Sequence, residues 1–348
     1  MQAARPSLDA RAWSFWAVTV MIAASLARNP LYTALVLLVT IIVSATNVPV
    51  HNNRAILSPL RFALIVIPLS ALFNCLTIHL GQHVLFRLPT WIPLLGGPVT
   101  AEGLVFGAIN GLALTAIFAS FAVFNHVTPV RDLVRLTPRA FHEVGVVISI
   151  ALTFIPQTMR SLERIRQAQA VRGHRMRGLR DWLPIVIPLL VSGLERSMGL
   201  AEAMVARGYG AVYEKAQLLR TQALLALGTL ALLGGWLLWL FVLLQRGIAM
   251  AVMLVGAGIV LGAVWQAGRV VTHTVYKPRQ WTAPDTLVVL GCVLTLVILL
   301  LPLPLDRNTL YYSPFPSLSW PSFDVFVGLG FLGLLVPAMI GRGGQQPI

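Results

Sequence analysis

The chain has 348 residues, of which 57% are hydrophobic and only 11% charged, with a mean hydropathy of +0.79. That leaves too few polar groups to cover a water-soluble globule of this size. The formal net charge of +14 fits the Lys/Arg-rich cytoplasmic loops of a membrane protein. The basic residues are scattered between apolar runs and lack an aromatic stacking platform, which argues against nucleic acid as a partner.

In chain order, apolar runs occupy 13–27, 31–46, 62–80, 101–124, 144–156, 223–244, 248–267, 286–303 and 323–340. A helix needs about 20 residues to cross a hydrocarbon core, so the first, second and fifth runs are marginal and about eight spans are expected. The first run follows Arg5 and Arg11 as a signal peptide would. No small-x-small cleavage pattern precedes Arg28, however, and another apolar run begins at once, so the segment reads as a first membrane helix. Pro68 and the glycines Gly103, Gly107 and Gly111 fall inside spans, where small residues let helices approach closely. Cys75 and Cys292 lie within apolar runs without ligand spacing and read as small hydrophobes.

The loops sort by charge. Segments 52–61 and 269–281 carry arginine and lysine and are expected in the cytoplasm, whereas 82–100, rich in Pro, Gly and Trp with only Arg87, is expected outside. Trp91, Trp281, Trp320 and Tyr312 stand where interfacial anchors belong. One conflict stays open. Arg131, Arg135 and Arg139 favour the cytoplasm and so does the stretch after 159. Either 144–156 is a partial insertion, or the first two short runs do not span as expected.

Residues 159–220 hold eleven Lys/Arg against five Asp/Glu, a net +6. So long a connection is expected to contain helices. Leu190, Leu194, Ser197, Met198, Ala201, Met204, Val205 and Gly208 recur on one helix face. The spacing predicts a helix beginning after Pro188 and ending at Arg207, with Gly208 just past its end. Met159, Leu162, Ile165 and Ala168 form a similar row that leads to Arg172 and Gly173. Two readings of these ends stand side by side. Arg172 and Arg207 either close helices on a positively charged aqueous surface, or present a planar guanidinium to a partner's carboxylate. The dipeptide alone is weak, because Arg-Gly also occurs at 177, 246 and 342.

No catalytic, metal or cofactor set stands out. His79 and His83 are one turn apart near an interface without a third ligand, and Glu102 reads as a helix-terminal or packing residue. Asn110 is a polar residue within a span, and His174 sits on a basic surface as a solvated side chain. A phosphate loop of the G-x-x-x-x-G-K-S/T type is missing from the sequence, so ATP would be bound by a partner. A membrane enzyme would need convergent nucleophiles or ligands. A stand-alone transporter or channel would need several ionisable residues in mid-span, and these are scarce.

The segment AEAMVARGYG at 201–210 resembles the second Ala-Arg-Gly signature of the transmembrane T component of energy-coupling factor (ECF) transporters, the CbiQ/EcfT-like family. RIRQAQAVRG at 164–173 is similar to the first, with Val171 where Ala is usual. TAEGLVFG at 100–107, ALTFIP at 151–156 and NPLY at 29–32 add weaker matches in the same order, and the resemblance covers roughly 29–209 plus the following span.

The resemblance implies an all-α polytopic transmembrane helical protein with a cytoplasmic pair of coupling helices, lying in the cell membrane and taking up a vitamin or metal ion such as cobalt. Its partners would be two cytoplasmic ATP-binding-cassette (ABC) ATPases, a membrane-embedded S component that binds substrate, and the lipid bilayer. Residues 1–158 and 221–348 would then be transmembrane and 159–220 the coupling region. Arg172, Gly173, Ala206, Arg207 and Gly208 would bind the ATPases, with Leu190, Leu194, Met198, Ala201, Met204 and Val205 as the face that transmits movement. The runs towards the C-terminus go beyond the shortest family pattern.

Overall fold

The computed structural model describes residues 8–47, 58–88, 96–138, 141–173, 178–209, 215–241, 246–270, 281–301 and 307–340. Helices dominate: α1 (Ala10–Leu26), α2 (Pro30–Asn47), α3 (Pro59–Thr77), α4 (Ala101–Val127), α5 (Val130–Val134), α6 (His142–Val171), α7 (Leu183–Ala206), α8 (Lys215–Phe241), α9 (Arg246–Val270), α10 (Ala283–Leu300), α11 (Val325–Phe331) and α12 (Val336–Ile340). Segment 82–100, expected as a plain loop, contains an antiparallel strand pair, β1 (Val84–Arg87) and β2 (Pro98–Thr100). Trp91 lies outside the described residues. Among the described residues, eight helices are long and apolar enough to cross a membrane, which makes this an all-α multi-pass membrane protein. They are not the eight that apolar runs alone suggest. α6 and α7 are among them with the lowest mean hydropathies, 1.3 and 1.4, while α1 and the 325–340 segment fall short in length.

The chain divides into two compact units, 1–133 with 277–348, and 134–276. In the first, α4 packs against α1, α2 and α3, and α10 packs against α1. Its core is built from Trp16, Val20, Val36, Val39, Ala116, Val123, Val288, Cys292, Phe331 and Leu334. Hydroxyls within this core are satisfied locally: Thr40 donates to the Val36 carbonyl at 2.8 Å and Thr115 to that of Gly111 at 2.7 Å. The expected close approach of α3 and α4 is present. A Cβ on Gly111 would stand 2.8 Å from the Ile67 Cα, and one on Gly107 would overlap the Ser70 carbonyl oxygen and lie 2.7 Å from the Ala71 Cα.

The C-terminal segment, which the sequence leaves without a role, is part of this core. The Trp16 indole N–H donates to the Leu334 carbonyl at 2.9 Å. Asp285, in the first turn of α10, accepts the Asp9 N–H at 2.7 Å and the Thr282 N–H at 2.9 Å, which ties the start of α1 to that of α10. Asn29 donates to the carbonyls of Thr309 and Ser322, both at 2.7 Å. Fully buried Tyr32 accepts the Asp324 N–H at 2.7 Å, lies 3.2 Å from Thr309 Oγ1 through its hydroxyl, and stacks on Phe323 and Phe331. The 323–340 run is not one helix. A short 3-10 turn, Leu332–Leu335, separates α11 from α12 where Gly333 passes against the Gly291 backbone, and the Thr295 hydroxyl takes the Gly330 carbonyl at 2.9 Å.

In the second unit α6 packs against α7 and α8 against α9. The α8–α9 contact is glycine-lined: a Cβ on Gly256 would sit 2.8 Å from the Leu232 nitrogen and one on Gly235 3.0 Å from that of Met253. Two helix boundaries differ from expectation. The 144–156 run is no separate element, because α6 continues through Pro156 to Val171. α7 starts at Leu183 rather than after Pro188. Pro188 cannot donate to the Pro184 carbonyl, and Gln169 of α6 supplies that hydrogen bond instead at 3.3 Å, so the helix persists.

Two outcomes follow from this packing. Gly107→Val forces α3 and α4 apart and is expected to lower stability by about 1–3 kcal/mol, measured as a drop in Tm in detergent, whereas Gly145→Val, into open space, leaves Tm nearly unchanged. Tyr32→Phe keeps the ring stack but loses the hydroxyl contacts, for about 1 kcal/mol. Tyr32→Ala removes both, for about 3–5 kcal/mol.

Candidate functional site

α6 and α7 end in the same way. Arg172 closes α6 with φ −78° and ψ 7°, and Arg207 closes α7 with φ −89° and ψ 5°. The next residues, Gly173 and Gly208, adopt φ +81° and +79°. At the second end the Gly208 N–H donates to the Val205 carbonyl at 2.9 Å and the Tyr209 N–H to that of Met204 at 3.0 Å, the paired bonds of a Schellman cap. At the first, the Gly173 N–H reaches the Ala170 carbonyl at 3.0 Å; His174 lies outside the described residues. Tyr209 is thus part of the cap, a role that depends on its position after the glycine and not on its side chain.

The geometry separates these two Arg-Gly pairs from Arg246-Gly247; Arg177 and Arg342-Gly343 lie outside the described residues. Among the described residues, positive φ occurs at Gly81, Gly97, Gly173 and Gly208 and not at Gly247, and Arg246-Gly247 opens a helix rather than ending one. Nothing lies within 4 Å of a Cβ added at Gly173 or Gly208. The glycines therefore serve the left-handed turn, not packing. Arg172, Arg207 and both glycines are exposed, as are Ala206 and Val171, the latter at 89%.

The two ends lie far apart. Gln169 meets Pro184 near the start of α7, and the Arg196 guanidinium reaches Ser161, so the helices pack antiparallel. With 1.5 Å of rise per residue, Arg207 stands on the order of 30 Å from the Arg172 end.

The predicted transmitting face is open. Leu190, Leu194, Met198 and Val205 are all more than half exposed, Ala201 is exposed and Met204 partly covered. Ile185 is the residue that α7 buries. Because α7 begins earlier than expected, the same face gains Leu183 and Ile187, exposed at 56% and 54%. They continue the three-to-four spacing, and a start placed at Pro188 hides them.

The remaining polar candidates meet in the first unit. Glu102, fully buried in the first turn of α4, accepts the Gln82 N–H at 3.2 Å and the His83 N–H at 3.1 Å, and lies 2.7 Å from His83 Nδ1. Thr100 caps the same helix through the Gly103 N–H and donates to the Leu80 carbonyl. This is the helix-terminal role expected of Glu102, and the carboxylate also fastens the loop that leads into β1. Asn110 lines a separate cavity of about 300 Å³ with Arg28, Tyr311 and Tyr312.

If the glycines act through backbone conformation, Gly208→Ala strains the left-handed residue at a cost of about 1–2 kcal/mol. Gly208→Asn, which tolerates that region, costs less. Circular dichroism melting of the full-length protein in detergent distinguishes the two.

Residues 3–218 match the CbiQ family, described as "Cobalt transport protein". Similar proteins include the energy-coupling factor transporter transmembrane protein EcfT of Acidaminococcus fermentans, 32% identical over 164 residues, 40% of this chain and 61% of the relative. The EcfT of Streptococcus equi subsp. equi is 36% identical over 110 residues, 30% and 39% respectively. That of Staphylococcus aureus is 27% identical over 161 residues, 41% and 60%. The chain spans less than two thirds of the length of these relatives. A match across more than half of the chain, both arginine-tipped helices included, places it in the CbiQ family of transmembrane transport components.

Proposed function

We propose that this chain is the transmembrane coupling subunit of an ECF-type importer, passing the movements of two cytoplasmic ABC ATPases to a substrate-binding S component in the cell membrane. The observation that carries this reading is the repeated Arg-Gly terminus, built twice with the same backbone geometry at opposite ends of one antiparallel helix pair. With the stretch from 159 to 220 on the cytoplasmic side of the membrane rather than crossing it, two tips on the order of 30 Å apart suit two docking grooves rather than one. Each guanidinium, on an exposed and narrow helix end, is free to enter a groove and pair with a carboxylate there.

The exposed face of α7, from Leu183 through Ile187, Leu190, Leu194, Met198 and Ala201 to Val205, supports contact with an apolar partner helix. The chain takes no part in ATP chemistry on this reading, since the phosphate loop belongs to the ATPases. The imported substrate is a vitamin or metal ion, selected by the S component.

Truncating one partner of a buried interfacial charge pair costs about 2–5 kcal/mol, so Arg172→Glu and Arg207→Glu are each expected to abolish or severely weaken co-purification with the cognate ATPases and to stop uptake. Unchanged capture and uptake in both variants, or no capture by the wild type, would rule the reading out.

A further inference from the structure

Away from its tips, the α6–α7 pair carries a cleft of about 670 Å³ lined by Gln157, Arg160, Glu163, Arg164, Gln167 and Arg196. Three guanidiniums face one carboxylate there, a net charge of +2. Arg164 from α6 and Arg196 from α7 donate to the same atom, the hydroxyl oxygen of buried Ser161, each at 3.2 Å. A hydroxyl has lone pairs for both but no charge to offset theirs. Among the described residues, Arg160, Arg164 and Arg196 make no ion pair with Glu163 or any other carboxylate. Two like charges held at one neutral oxygen repel, and an anion between them removes that cost.

The cleft starts at Gln157, directly after Pro156 and the apolar 144–156 run. That places it where α6 changes from apolar to polar, the depth at which lipid headgroups meet a membrane helix. Planar guanidiniums match phosphate oxygens two at a time, and the amides of Gln157 and Gln167 add donors.

We propose that this cleft binds the phosphate of an acidic phospholipid, with Arg164 and Arg196 as the clamp and Arg160 as the third cation. Bound there, the lipid would bridge α6 and α7 and hold the pair at the membrane surface. This site exists whether or not the arginine tips meet ATPases.

The test uses the full-length protein in phosphatidylcholine nanodiscs with and without phosphatidylglycerol, read by Tm and by native mass spectrometry of retained lipid. Phosphatidylglycerol is expected to raise the Tm of the wild type and of Arg166→Gln, a charge control outside the cleft. Arg164→Gln and Arg196→Gln should each retain it roughly tenfold less well, the order of one charge-assisted hydrogen bond. Ser161→Asp, which places a fixed anion between the guanidiniums, should raise the Tm in phosphatidylcholine alone and abolish the response to phosphatidylglycerol, so the site remains testable if an arginine variant fails to fold. An equal response to inorganic phosphate in phosphatidylcholine discs would make free phosphate the ligand and overturn the lipid assignment. A phosphatidylglycerol response that persists in all three cleft variants would overturn the site.

Discussion

Hydrocarbon offers a backbone no water and gives helices no hydrophobic reason to associate, so the packed unit of this protein rests on close contact and on polar groups paired inside the protein. Gly107 and Gly111 bring α3 against α4, and Gly291 and Gly333 bring α10 against the broken C-terminal segment. Where contact alone does not suffice, hydrogen bonds from side chains to backbone join distant parts of the chain. Trp16 reaches Leu334, Asn29 reaches Thr309 and Ser322, and Asp285 takes the Asp9 N–H. Every one of these links crosses more than 270 residues of sequence, which is why residues beyond the family match still belong to its core.

In the second unit α8 and α9 keep this close glycine contact, but the α6–α7 pair is built on the opposite plan. α7 buries Ile185 and leaves its large apolar side chains open, and Ser161 is the buried residue of α6. A helix pair with so little covered surface suits partners. Under the proposed coupling role the two plans divide the labour: the packed unit is fixed by internal pairing, and the α6–α7 pair offers exposed tips and an exposed face to the proposed partners.

The helix ends show how a weak sequence signal becomes a specific one. Arg-Gly occurs five times, and composition cannot rank the five. Backbone conformation sets apart the described ones: Gly173 and Gly208 take positive φ, each after an arginine that closes a long helix, whereas Arg246 opens one. The left-handed glycine turns the chain away just past each arginine and leaves that arginine at the very end of its helix.

By itself the sequence determined the solvent, the all-helical class, the glycines between α3 and α4, and the apolar rows that run up to Arg172 and Arg207, because hydropathy and three-to-four spacing are local properties written into neighbouring residues. Tertiary structure alone decided where α7 begins, since the hydrogen bond missing at Pro188 is replaced by Gln169 on another helix. It decided that NPLY is a clamp for the C-terminal segment, because the carbonyls to which the Asn29 amide donates and the groups that the Tyr32 hydroxyl meets lie at least 277 positions away. It also decided that Arg164 and Arg196, on two different helices, share the hydroxyl of Ser161, which lies 35 residues before Arg196. Long-range pairing follows from how helices pack, and spacing along one helix does not encode which distant carbonyl or hydroxyl will stand opposite.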